Sequence, residues 1–183
     1  EGQVVFVRHA LPGERVRALV TEVSKHFARA DAVEVLHASP HRVQAPCPVA
    51  KPGGCGGCDW QHADLEYQRT LKAGIVAEQL RRLAGIEREV VVEALPGGGF
   101  GWRSRVRFAV DDTGHAGFRR SRSHEVVAVD RCPIAHPLVE AAGVEAKSWN
   151  RASEVEVAAS AASGERLVRT TSRRDGVVRT HGA

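Results

Sequence analysis

The 183-residue sequence predicts a mixed β and α+β chain. A small β-barrel is expected over residues 1–46, a cysteine-bearing α+β segment over 47–145, and the start of a further sheet, truncated, over 146–183. Three observations predict this. Valine-rich stretches with partial period-two alternation recur at short intervals up to residue 39. One helix-length pattern follows, over 65–83, and an arginine-studded hairpin occupies 102–130.

In the barrel, QVVFV (3–7), ERVRALVTEV (14–23) and AVEVLHAS (32–39) read as strands, with LPGE (11–14) as a turn. SKHFARAD (24–31) reads as a polar loop. Its Lys25, Phe27 and Arg29 set an aromatic between two cations, which suits RNA contact as well as packing under the loop. The Pro-rich stretch from Pro46 to Pro52 breaks the strand pattern and leads into GGCGGCDWQH (53–62). Asp64 then suits an N-cap and Gly85 a C-terminal stop, and Leu71, Ile75, Leu80 and Leu83 are expected to form a packing side of the helix between them.

In WRSRVRFAV (102–110), a strand would turn Trp102, Ser104, Val106, Phe108 and Val110 to the core and Arg103, Arg105 and Arg107 to the other face. A turn at Asp111–Gly114 returns the chain with Arg119, Arg120 and Arg122, and EVVAV delivers Cys132. Six arginines are often only a solvated face. Here no acidic residue lies between Arg103 and Val110, so the stripe is expected to lack local ion-pair partners and to attract an anion.

Lys and Arg number 26 against 22 Asp and Glu, for a net charge of +4, and 22 of the 26 cations are arginine. Such a bias arises in any GC-rich genome, but guanidinium also suits phosphate contact and base stacking. No apolar run approaches the roughly 18 residues of a membrane span, and EGQVVFVRH (1–9) lacks the regions of a signal peptide. The chain reads as a cytoplasmic monomer, where cysteines serve as ligands or reactive thiols rather than disulfides. It has no methionine and opens inside a strand pattern, which points to a piece of a longer protein.

The four cysteines form one set: Cys47, seven residues, Cys55, two residues, Cys58, 73 residues, Cys132. Four thiolates fit an iron–sulfur cluster or a structural zinc. Four-cysteine zinc sites usually pair two C-x2-C turns and this chain has one, so the asymmetry favours a cluster. His62 beside the loop reads as a hydrogen-bonding neighbour, His136 as structural, and Trp60 as a shield against water.

These segments, with VVFVRHALPGERVRALVTE (4–22), SPHRVQAPCP (39–48) and GFRRSRSHEVVAVDRCPIAHP (117–137), resemble the RNA (uracil-5-)-methyltransferases that use S-adenosylmethionine, the RumA and TrmA relatives. The likeness is to members with a TRAM domain and a [4Fe–4S] cluster, and it runs to about residue 168. It implies an OB-like TRAM barrel that binds RNA, rRNA or tRNA, followed by a central domain with a structural cluster on Cys47, Cys55, Cys58 and Cys132. The family's Rossmann-like domain, with S-adenosylmethionine, an attacking cysteine and a general base, has no counterpart here. No glycine-rich strand-to-helix fingerprint follows residue 137, so no catalytic residue is expected in this chain and S-adenosylmethionine only outside it. The alternative is a noncatalytic RNA-binding module with a four-cysteine zinc site. A radical enzyme needs a C-x3-C-x2-C run that is absent, and electron transfer has little use for a barrel and an arginine strand.

Overall fold

The computed structural model describes residues 2–182. The chain forms two compact units, Glu1–Pro52 with Cys58–Pro96, and Gly53–Gly57 with Gly97–Ala183.

In the first unit, β1 (Val4–Arg8), β2 (Arg15–Val23) and β3 (Phe27–His37) form a sheet in the order β1-β3-β2. β1 runs parallel to β3, with Val4 opposite Phe27, and β2 runs antiparallel to it. The LPGE turn closes with the Glu14 N–H on the Leu11 carbonyl at 3.2 Å, and Gly13 supplies the positive φ of 81° that the turn needs. Alternation is clear in β3, where Ala28, Ala30 and Ala32 are buried. In β2 three register shifts break it, so most of that strand's apolar side chains stay exposed.

The expected barrel is not closed among the described residues. Both β1 and β2 are edge strands of an open sheet, and closure requires every edge to be paired. The third strand also begins earlier than the sequence pattern suggests, so Phe27 and Arg29 are strand residues rather than members of a loop.

α1 (Leu65–Ala84) is capped as the sequence predicts. The Asp64 carboxylate accepts the Tyr67 N–H at 2.7 Å, and Gly85 adopts a left-handed φ of 65° while its N–H reaches the Arg81 carbonyl. The expected packing side is absent: no residue of α1 is buried and Leu83 is 83% exposed. Leu80 follows Leu71 by about two and a half turns, so it lies on the opposite side of the helix and no single stripe forms.

The second unit holds β4 (Arg105–Val110), β5 (Ala116–Arg119), β6 (Val126–Ala128), α2 (Pro137–Glu140), β7 (Ala152–Ala159), β8 (Arg166–Ser172) and β9 (Val178–Gly182). Six strands pair antiparallel in the order β6-β5-β4-β7-β8-β9. The tail strands therefore extend the arginine hairpin's own sheet through the β4–β7 pair. Val106, Phe108, Val155 and Val157 are almost wholly buried and pack with Val139 and Val144 from α2 and the turn after it. His136 caps α2, its Nδ1 accepting the Leu138 N–H at 3.2 Å, the structural role its sequence position suggests.

Candidate nucleic-acid interface and cysteine loop

β4 alternates as its sequence requires, with Val106 and Phe108 buried and Arg105 and Arg107 exposed on the opposite face. Trp102 and Ser104 depart from the expected pattern. β4 starts only at Arg105, and Trp102, ahead of it, is 52% exposed and outside the core.

The arginine row is not without partners. β7 places Glu156 directly opposite Arg107, and its carboxylate accepts from Arg105 at 2.8 Å and Arg107 at 3.0 Å, with Arg169 of β8 at 3.5 Å. Hydrogen bonds from Arg105, working against burial, hold the Glu156 carboxyl below its ordinary value. Glu154 lies 3.8 Å from Arg119, and Glu125 2.7 Å from Arg120. For Arg105 and Arg107 the carboxylate that the local sequence lacks thus arrives from a strand some fifty positions later, within the SEVEV stretch (153–157). Three guanidiniums around one carboxylate still leave this face net positive. Arg103 has no ion pair among the described residues. Arg122 lies in the turn between β5 and β6 with a positive φ of 55°.

In the first unit Lys25 is exposed in the short β2–β3 turn. Arg29 lies 4.8 Å from the Phe27 ring centroid and 5.8 Å from that of Phe6, and pairs with Glu22 at 3.0 Å. Phe6 and Phe27 meet edge to face at 5.7 Å. Lys25, Phe27 and Arg29 therefore do lie close in the chain, but Arg29 is engaged by its own neighbours.

The cysteines divide between the units. Cys47, buried, donates its backbone N–H to the Gln61 side chain at 3.0 Å, and Cys58 lies in the same unit. In the other unit the Cys55 sulfur accepts the Gly57 N–H at 3.4 Å, and Cys55 bridges to Arg120. A Cβ on Gly56 would stand 2.7 Å from the Ser121 nitrogen, so only glycine allows this loop to lie against the β5–β6 turn. Cys132 packs against the core and donates its N–H to Glu140 at 3.1 Å. Among the described residues no three His, Cys, Asp or Glu side chains are gathered as a metal-holding group. His62 is buried, which lowers its pKa, and its Nε2 has no partner among the described residues. Trp60 is half-buried. No helix among the described residues is long and apolar enough to cross a membrane.

Residues 1–33 match the family model of the TRAM domain. An uncharacterized RNA methyltransferase of Streptomyces avermitilis is 52% identical over 92% of this chain and 42% of its own length. The 23S rRNA (uracil(1939)-C(5))-methyltransferase of Alkalilimnicola ehrlichii is 39% identical over 75% of the chain and 32% of its own. In fold, the chain is similar to the Pyrococcus abyssi tRNA (uracil-54, C5)-methyltransferase solved with S-adenosyl-L-homocysteine. The TM-score is 0.60 at 22% identity, covering 93% of this chain and 42% of that one.

The chain thus carries a TRAM domain and is homologous to RNA methyltransferases. Within them its relatives include uracil-C5 enzymes, as the sequence resemblance implies. It spans about two-fifths of the length of two Streptomyces relatives that it matches.

Proposed function

We propose that this chain is the RNA-gripping part of an S-adenosylmethionine-dependent RNA uracil-C5 methyltransferase acting on rRNA or tRNA in the cytoplasm. One observation carries the reading: a chain homologous to RNA methyltransferases presents a net-positive set of guanidiniums, Arg105 and Arg107 on one face of β4 and the exposed Arg103 just ahead of that strand. Phosphates are the natural counter-charge for that row, and Arg119, Arg120 and Arg122 extend it. The first unit supplies the TRAM module through residue 46, closing as a barrel in the whole protein, and Lys25, Phe27 and Arg29 offer it a second contact. Residues 47–145 form the cysteine-bearing segment, and 146–183 continue the sheet that the arginine hairpin begins. S-adenosylmethionine and the reacting groups belong to the remainder of the parent enzyme.

Cys47, Cys55, Cys58 and Cys132 are of the right donor type for a [4Fe–4S] cluster. The approach that Gly56 permits, and the Gly57 N–H on the Cys55 sulfur, are the backbone features a thiolate ligand uses. When bound, the cluster supplies a four-point covalent tie between distant segments rather than electron transfer. Gly57 shares the negative charge of the Cys55 sulfur, while Glu140 and Gln61 hold the backbone at Cys132 and Cys47.

Two experiments test this reading. Changing Arg103 and Arg105 together to Ala should weaken binding of single-stranded RNA and reduce the salt slope by about 0.7 per lost phosphate contact. A double variant matching the parent in both quantities refutes the interface. Protein prepared without air should contain about four irons and four sulfides per chain; one zinc in their place refutes the cluster.

A further inference from the structure

Trp102 is the large aromatic that the core of the second unit leaves out. Phe108 and Phe118 stack inside that unit at 5.0 Å, and Trp149 packs on the core with its indole N–H on the Val144 carbonyl at 2.8 Å. Trp102 is 52% exposed, and Phe100, two residues earlier in the chain, 37%. An indole that size left in water forgoes a large hydrophobic gain.

The exposure is not that of a loose segment. On one side of Trp102 the Gly101 N–H donates to the Pro133 carbonyl at 3.0 Å. On the other, the Arg103 N–H donates to the Ile134 carbonyl at 2.8 Å and the Arg103 carbonyl accepts from His136 at 2.9 Å. Arg103 and Ala135 form a parallel bridge, so the backbone at Trp102 is held to the segment that follows Cys132. Gly97, Gly98, Gly99 and Gly101 all take positive φ, a course that lets the chain reach this tether.

We propose that Trp102 is a stacking platform for an unpaired base of bound RNA, placed at the head of β4 where the arginine row begins. The inference rests on the RNA-binding reading above and names the chemistry at one position of it. Charge favours a nucleotide as the occupant. Arg103 is the adjoining residue and has no ion pair among the described residues, and Arg105 and Arg107 continue the row. Successive side chains of an extended segment point to opposite faces, so a base on the indole and a phosphate at Arg103 belong to neighbouring nucleotides of a strand that crosses the head of β4. Stacking on a ring whose backbone is already tethered lowers the ordering cost and tolerates any base, so the platform adds affinity without reading sequence.

The test is fluorescence anisotropy of labelled oligouridine against the chain and its W102F, W102L and W102A variants across a range of salt. Trp102→Leu and Trp102→Ala should each weaken binding roughly tenfold, while Trp102→Phe stays within about threefold of the parent. The salt slope should not change, because no phosphate contact is lost. Binding should also quench indole fluorescence in the parent and less in W102F. If W102L and W102A bind like the parent while the double arginine variant is weakened, the platform is refuted and the RNA reading stands. W102L matching W102F, or a fall in salt slope, refutes stacking as the contact. Failure of the parent chain to bind RNA overturns both.

Discussion

Glu156 faces Arg107 across the β4–β7 pair and gives one carboxylate oxygen to Arg105 and the other to Arg107. The acid is thus the organiser of a basic surface: it spaces the guanidiniums and lowers their mutual repulsion.

Glu156→Gln should separate these roles. Its side chain is 11% exposed, so losing the charge should destabilise the fold by roughly 1–3 kcal/mol in urea unfolding at neutral pH. The folded carboxyl sits below its ordinary 4.5, so its contribution is complete above that value and is lost as pH falls through the lower folded one. Parent and variant should therefore converge in acid. RNA affinity should move the other way, rising in the variant because one counter-charge is gone.

Glu14 should dominate the acid limb of the first unit. Its side chain is fully buried; burial alone would raise its pKa, but hydrogen bonds from Arg42 and from the Ser39 and Leu11 N–H groups hold it at about 2. Stability from this group is present above 4.5 and drains away as pH falls toward 2. Glu14→Gln should cost about 3 kcal/mol at pH 7 and flatten that limb, which pH-dependent melting will show.

Two glycines should tolerate no side chain. A Cβ at Gly117 would stand 2.2 Å from the Val127 carbonyl oxygen, and one at Gly56 2.7 Å from the Ser121 nitrogen, both backbone atoms that cannot rotate away. Alanine at either should cost about 1–3 kcal/mol. The Gly56 N–H bond to the Arg119 carbonyl, 3.0 Å in the parent, should exchange its proton faster in Gly56→Ala.

If the proposed cluster ties Cys47, Cys55, Cys58 and Cys132 together, its removal should expose residues 47–62 to protease, because ligand binding at such sites is also folding energy. Limited proteolysis with and without iron checks this; equal cleavage of the loop in both states would count against it.

Local signals were legible and distant ones were not. Asp64 and Gly85 bound α1 because caps act over a turn, and Val106 and Phe108 are buried because strand alternation is local. The acidic SEVEV stretch is visible in the sequence, but its pairing of Glu156 with Arg107 is not, because strand register rather than sequence proximity sets it. Trp102 was misplaced because alternation was extended past the end of the strand. The barrel reading failed to close because strand periodicity carries no information on which edges meet. The Cys47–Cys132 set was read as one site from spacing alone, and that reading remains a proposal.

The parallel pairing of β1 with β3 has a consequence for the order of events during synthesis. β2 and β3 are joined by a tight antiparallel turn and can zip together locally, the kind of hairpin that forms in microseconds. β1, although translated before β2, finds its partner in this sheet only once β3 has left the ribosome, since its neighbour is the third strand and not the second. β1 must therefore wait for β3, and it joins this sheet after the β2–β3 hairpin has formed.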